Sequence, residues 1–114
     1  VGMTEVTGLE AELRSNGISV EAVDAGATVS LSYLTAFPGE SVNHREMGRA
    51  CNTFIDLADE GEWEPVPVEA TVLRADDDVL GTWRIDPEWI RGLNAYELSE
   101  TDFSERVLGT LEED

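Results

Sequence analysis

A chain of 114 residues has the length of one domain, and its seven basic residues, all arginine, oppose 25 acidic residues for a net charge of −18 at pH 7. This balance excludes the clustered positive charge with which proteins hold nucleic-acid phosphates. A single cysteine excludes an internal disulfide, and no apolar run approaches the ~20 residues that span a bilayer. We expect one soluble, cytoplasmic domain over residues 1–114, with no nucleic-acid partner and no membrane partner.

The sequence contains no lysine at all, although ordinary soluble proteins use this residue freely. In molar salt the Debye length falls to about 3 Å, so closely spaced carboxylates repel each other weakly and keep the protein dissolved. The composition therefore predicts a halophilic protein. Disorder and mimicry of DNA are the alternatives, but 41% of the residues are hydrophobic and they recur at regular spacings, which disfavours disorder.

The first predicted elements are a helix and a β-hairpin. Leu9 and Leu13 lie four residues apart and Gly17 is a typical helix stop, so the helix covers about 4–16. The hairpin turns at 24–26, and its inward residues are Ile18, Val20 and Ala22 in one strand and Val29, Leu31 and Tyr33 in the next. This period of two indicates one buried and one solvated sheet face.

A second helix follows the loop at 37–40. Ser41 is its predicted N-cap, the helix runs to about Asp59, and Gly61 ends it. Its apolar stripe consists of Met47, Ala50, Cys51, Phe54, Leu57 and Ala58. The linker that follows, at 62–67, either folds Trp63 under itself or leaves the indole exposed as a contact for a partner.

The remaining chain predicts a second hairpin and two more helices. Its strands cover about 68–72 and 79–85, with a solvated acidic turn at 76–78. Asp86 and Pro87 are the predicted N-cap and first residue of a third helix, and a fourth covers about 101–112. The fold class is therefore α+β, in the order α-β-β-α-β-β-α-α. We expect a four-stranded antiparallel sheet made of two hairpins, with the helices on one face.

His44 and Cys51 are the only histidine and cysteine, seven residues apart on the second predicted helix. Two helical turns separate them by about 11 Å, which is too far for a direct nucleophile–base pair or for one metal ion. Cys51 also falls in the apolar stripe, which indicates a buried thiol. These residues predict neither a catalytic pair nor a metal site.

Arg45 and Arg49 lie four residues apart on the helix side opposite the apolar stripe. Together with Ser41 at the helix start they form a candidate site for a phosphate or a carboxylate. The structural alternative is that both arginines form surface ion pairs with some of the 25 acidic residues.

The outward face of the predicted sheet is rich in hydroxyl groups. Its residues are Thr28, Ser30, Ser32, Glu69, Thr71, Thr82 and Arg84. Such a face is normal for a solvated sheet, and it is equally compatible with a dimer or ligand surface. No phosphate-binding loop, nucleophile elbow or metal motif occurs in the sequence, so we predict no cofactor and no metal.

Three segments carry a resemblance to a known family: Phe37 to Gly48, Cys51 to Phe54, and Gly81 to Trp89. In them the chain resembles a family of short, acidic haloarchaeal proteins of unknown function. The resemblance implies a salt-rich archaeal cytoplasm, and it implies no activity and no catalytic residues.

The sequence favours a non-enzymatic binding or interaction module, with a homodimer or another protein as its partner. The competing hypothesis is an anion-binding regulator or a small enzyme that uses the side of the second helix bearing Arg45 and Arg49. Alanine at both arginines distinguishes the two hypotheses, since it should abolish anion binding without unfolding the protein.

Overall fold

The computed structural model describes residues 6–37, 39, 41–75 and 78–113. Along the chain the elements are α1 (Val6–Ser15), β1 (Ser19–Ala25), β2 (Val29–Leu34), α2 (His44–Asp59), β3 (Val68–Ala75), β4 (Asp78–Ile85), α3 (Pro87–Asn94), α4 (Glu100–Leu108) and β5 (Glu112–Glu113). The α+β class is confirmed. Of the predicted acidic turn, Asp76 and Asp77 lie outside the described residues.

The sheet has five strands in the spatial order β1-β2-β3-β4-β5, and it is mixed. The prediction of a four-stranded, fully antiparallel sheet was wrong, because β2 and β3 pair in parallel. The connection between them contains α2, and such a crossover returns the chain to the end of the sheet from which it started. Only the two hairpins, β1–β2 and β3–β4, pair in the antiparallel way that was predicted.

Two predicted helix ends also differ from the structure. Ser41 is not the N-cap of α2; the cap is Asn43, whose side-chain oxygen accepts a hydrogen bond from the Glu46 backbone N–H at 2.9 Å. The fourth helix ends at Leu108 instead of about 112, and the chain then pairs with β4 as the short strand β5. The start of α3 is confirmed, since Asp86 caps the Glu88 N–H at 2.8 Å.

One hydrophobic cluster joins all four helices to a single sheet face. Its helical members include Leu9, Leu13, Phe54, Ile90 and Phe103. From the sheet come alternate residues, namely Val29, Leu31, Tyr33, Val68, Ala70, Val72, Trp83 and Ile85. The residues between them point to the other face, which no described helix covers, so the expectation of helices on one face agrees with this packing.

The loop between β2 and α2 is fixed to the rest of the molecule at three places. The Ala36 N–H donates to Glu46, the Gly39 carbonyl accepts from Arg74, and the Val42 N–H donates to Glu113. Gly81 in β4 allows this approach, because a Cβ there would lie 2.8 Å from both the Glu112 carbonyl oxygen and a Val42 methyl group. The beginning of α2 is thereby held against the sheet edge.

None of the helices in the described ranges is both long enough and apolar enough to cross a membrane.

Candidate functional site

A groove runs between α2 and α4 and widens towards the segment that follows α3. Its narrow end has a volume of about 180 Å³ and an apolar floor made of Met47, Cys51, Phe103 and Val107. Its wide end has a volume of about 600 Å³ and a more polar lining of Asn52, Asp56, Asn94, Tyr96, Glu100 and Ser104. Both ends share Gly48, Asn52, Phe103 and Ser104, so they form one continuous surface feature.

Local contacts hold the three walls of this groove in place. The Asn94 amide at the end of α3 donates to the Ile55 carbonyl of α2 at 3.4 Å. Ser99 caps α4 by accepting from the Asp102 N–H at 3.0 Å, and Phe103 then anchors the helix with only 4% of its surface exposed. The groove therefore lies between elements that are fixed to each other.

Gly48 lies in the interior of α2 at the junction of the two groove ends. A glycine inside a helix is less stable than alanine by roughly 0.5–1 kcal/mol. No steric reason requires it here, because a Cβ at this position would meet nothing within 4 Å. A side chain at this position would extend into the groove.

Tyr96 lies on the rim of the wide end and adopts a left-handed backbone conformation with φ at 61°. It follows the end of α3, where the N–H groups of Tyr96 and Glu97 bond to the carbonyls of Leu93 and Gly92. Glycine is the usual residue at such a position, since a side chain there costs roughly 1–2 kcal/mol. The tyrosine ring is 95% exposed, so packing within the chain does not offset that cost.

His44 and Cys51, for which the sequence predicts neither a catalytic pair nor a metal site, both line the narrow end. His44 is exposed, whereas Cys51 is buried. Burial raises the pKa of the Cys51 thiol to about 12, so the thiol stays protonated at neutral pH and is a poor nucleophile. Within the described ranges no three His, Cys, Asp or Glu side chains are gathered where they could bind a metal ion.

The structure separates the three residues of the predicted anion site. Ser41 and Arg45 line a shallow depression of about 420 Å³ beside Asn43 and His44. Arg49 instead extends over the end of α1, where its Nη1 atom would lie 2.9 Å from a Cβ placed on Gly17. The ion pairs of the described residues join Arg14 to Glu10, Arg74 to Asp78 and Arg91 to Glu88, so they do not include either arginine.

Trp63 is folded under its linker, with 7% of its surface exposed and its ring 5.1 Å from that of Phe54. Of the two interpretations of Trp63, this burial corresponds to packing under the linker. Its indole is therefore not available on the surface in this conformation.

Sequence reasoning missed a polar cluster inside the core. The Tyr33 hydroxyl accepts a hydrogen bond from the Trp83 ring N–H at 3.1 Å, and Glu46 is completely buried nearby. Burial raises the pKa of Tyr33, the Trp83 hydrogen bond opposes this effect, and the negative charge of Glu46 adds to it. No local signal distinguishes Glu46 from an ordinary acidic residue in the first turn of a helix.

Residues 2–114 match the sequence profile of a family described as a domain of unknown function, DUF8159. The chain belongs to this family. No curated protein and no solved structure matches the sequence. Membership in the family confirms the resemblance to proteins without an assigned function, while the haloarchaeal origin stays a prediction.

Proposed function

We propose that this protein is a non-enzymatic binding protein and that the groove between α2 and α4 holds its ligand. One observation carries the proposal: Gly48, a glycine inside a helix, and Tyr96, a tyrosine at positive φ, line the same groove. Each of these features is expected to lower stability. Residues that lower stability without a packing reason tend to be retained at functional sites. Gly48 keeps the groove open at its centre, and Tyr96 presents an aromatic ring at its rim.

The lining indicates an amphipathic small molecule. Small-molecule sites have volumes of about 300–1,000 Å³ and combine an apolar floor with a few polar groups, and the wide end of the groove falls in this range at about 600 Å³. An apolar part of the ligand fits over Met47 and Phe103, while polar groups meet Asn52, Asn94 and Ser104. The lining includes Asp56 and Glu100 but no arginine, which favours a neutral or cationic polar part.

Binding without catalysis is supported by the chemistry of the groove. A cysteine nucleophile needs a thiolate and an adjacent base, whereas the Cys51 thiol is held protonated and His44 lies two helical turns away. Serine and asparagine side chains at the wide end supply hydrogen bonds that orient a ligand.

The proposal includes a salt-rich cytoplasm as the working environment. Its support is the net charge of −18 together with the absence of lysine. Only three ion pairs occur among the described residues, and most of the acidic residues described are exposed. Such a surface remains soluble in molar salt.

A thermal-shift screen in molar KCl tests the proposal. The panel contains amphipathic amines and alcohols together with nucleotides, phosphosugars, amino acids and divalent metals. A ligand at 100 times its dissociation constant stabilises the protein by about 2.7 kcal/mol, which gives a clear shift in Tm for a domain of this size. Each hit is then measured against Gly48→Leu, whose side chain enters the groove. Loss of the shift in this variant supports the groove, and an unchanged shift contradicts it.

Anion binding near Arg45 is the second candidate, because the described residues show no carboxylate within ion-pair distance of that arginine. Arg45→Ala and Arg49→Ala distinguish it from the groove. A nucleotide or phosphosugar shift that disappears in Arg45→Ala but persists in Gly48→Leu would assign binding to the start of α2. Since Arg49 lies over α1, Arg49→Ala should lower stability more than Arg45→Ala and change anion binding less.

A further inference from the structure

The sheet face that no described helix covers differs in composition from the rest of the surface. This face carries the acidic residues Asp24, Glu69 and Glu112 at its ends and edges. Between them lie residues that are not acidic, namely Ser30, Ser32, Leu34, Thr71, Leu73, Val79 and Thr82. Exposed positions on the helices, by contrast, include Glu12, Asp56, Asp59, Glu100, Asp102 and Glu105. In a protein that dissolves through its acidic residues, the part of this face that lacks them is poorly suited to remain in contact with brine.

Strand register arranges this face in three rows that run across the strands. Asp24, Ser30, Glu69 and Arg84 pair in turn from β1 to β4 and form the first row. Ala22, Ser32, Thr71 and Thr82 form the second row in the same way. Ser19, Leu34, Leu73 and Val79 form the third, whose members on β2, β3 and β4 are apolar. Each row therefore lies at one level along the strands.

These rows are complementary to themselves under a two-fold rotation. An axis parallel to the strands and midway between β2 and β3 places β1 of one copy over β4 of the other, and β2 over β3. Arg84 then faces Asp24 of the second copy, and the same pair forms again in reverse. In the other rows Ser32 faces Thr71, and Leu34 faces Leu73. The rotation thus brings together one pair of opposite charges, one pair of hydroxyl groups and one pair of apolar side chains, each formed twice. It also places Glu69 opposite Ser30 and Val79 opposite Ser19.

The edge strand β1 offers a poorer interface than this face. Its pairing with β2 is interrupted by a bulge between Val20 and Ala22, where Glu21 is the extra residue. A bulge with an acidic side chain is a common way in which an edge strand avoids pairing with another chain. Stacking of faces, at the ~10 Å spacing of packed sheets, does not require that edge.

We propose that the open sheet face binds a second copy of this chain, forming a two-fold symmetric dimer with Arg84 of each copy opposite Asp24 of the other. Within one chain these two residues lie on strands separated by three steps of about 4.8 Å, so they do not pair with each other. The dimer forms in molar salt, where repulsion between two chains of net charge −18 is screened.

Sedimentation equilibrium of the full chain in molar KCl, at concentrations up to several hundred micromolar, tests the proposal with a charge exchange. Asp24→Arg and Arg84→Asp should each raise the dimer dissociation constant about tenfold or more, because each places like charges opposite one another. The double variant should return the constant to within about threefold of the original value. Such recovery requires that the two residues meet between chains.

Two variants on the helices are matched controls for the change in net charge. Asp102→Arg and Arg106→Asp alter exposed residues of α4 and should leave the dissociation constant unchanged. Thr71→Glu, at the centre of the face, should abolish the dimer while Tm in molar KCl confirms that the variant is folded. A wild-type chain that stays monomeric over the whole concentration range overturns the proposal. It is equally overturned if the single exchanges weaken the dimer no more than the α4 controls, or if the double exchange does not restore it.

Discussion

The Glu46 carboxylate accepts a hydrogen bond from the backbone N–H of Ala36 at 2.8 Å while no part of its side chain reaches water. Through this bond the first turn of α2 holds the loop that leaves β2. The other carboxylate oxygen has no hydrogen-bond partner among the described residues. One oxygen is thus used for structure, and the other is buried at a cost in free energy.

Replacing Glu46 should separate these two effects. Glu46→Ala leaves the Ala36 N–H without its acceptor and opens a cavity, so we expect unfolding free energy to fall by about 2–4 kcal/mol. Glu46→Gln keeps an oxygen acceptor and removes the buried ionisable group, so it should lie within about 1 kcal/mol of the wild type. Urea unfolding in molar KCl measures both. Equal losses in the two variants would show that the hydrogen bond to Ala36 contributes little.

Alkaline stability should depend on Cys51. Its pKa is raised by burial from an ordinary value near 9 to about 12, so the folded state keeps a proton that the unfolded state has lost between these values. The folded state therefore binds more protons in this window, and stability falls as pH rises from about 9 to 12. The raised pKa of Tyr33 acts in the same direction.

The variant Cys51→Ala should reduce the slope of unfolding free energy against pH by up to about 1.4 kcal/mol per pH unit above pH 9. Denaturant unfolding of wild type and variant between about pH 8 and about pH 11 gives the two slopes. As a second readout, the native thiol should react with a thiol reagent only at the rate of unfolding. Parallel slopes together with rapid labelling would indicate an accessible thiol and contradict this prediction.

Local patterns predicted most elements but not how they are combined. Alternation through Val29, Leu31 and Tyr33 identified β2 and its buried face, and Asp86 with Pro87 identified the start of α3. The parallel pairing of β2 with β3 was missed because it depends on where α2 returns the chain, which no short-range pattern encodes. The strand β5 has only two residues and no periodicity to detect.

Local sequence patterns could not predict the candidate groove, because its walls come from α2, α4 and the end of α3, which are distant from one another in the sequence. Gly48 was the one sequence feature that could have pointed to the groove, since a glycine among helix-forming residues often has a packing or functional reason. Tyr96 gave no signal, because positive φ is expected of glycine or asparagine. Arg45 and Arg49 were correctly placed on one helix, but long side chains at adjacent turns extend to different neighbours.

The effect of salt on stability should differ between acidic residues at the C-terminal end of a helix and those at the N-terminal end. The last turn of α2 carries Asp59 with Glu60 as its C-cap and no basic residue, so these charges meet the negative end of the helix dipole. The first turn of α4 carries Glu100 and Asp102, where the dipole favours negative charge. The two pairs have the same charge and are all exposed, which makes them matched.

We expect Asp59→Asn with Glu60→Gln to raise the free energy of unfolding in dilute buffer by roughly 0.3–1 kcal/mol per charge, and Tm with it. The same double variant should have little effect in molar KCl. Glu100→Gln with Asp102→Asn should lower Tm in dilute buffer. The wild-type Tm should itself rise with KCl concentration, because screening relieves repulsion among the acidic residues. A flat Tm from dilute buffer to molar KCl would contradict the proposed adaptation to salt, and equal shifts in both double variants would contradict the role of the dipoles.

Tyr96 offers the sharpest test of the groove, because its backbone conformation and its ring can be changed separately. Tyr96→Gly relieves the positive φ and removes the ring, whereas Tyr96→Ala removes the ring and keeps the strain. Since the ring is 95% exposed, its loss alone should change stability little. We expect the glycine variant to be about 1 kcal/mol more stable than the alanine variant, a difference of several degrees in Tm. Both variants should lose affinity equally for any ligand found in the screen. If the glycine variant were no more stable than the alanine variant, the positive φ of Tyr96 would cost no stability. If both variants kept full affinity for the ligand, the tyrosine ring would take no part in binding.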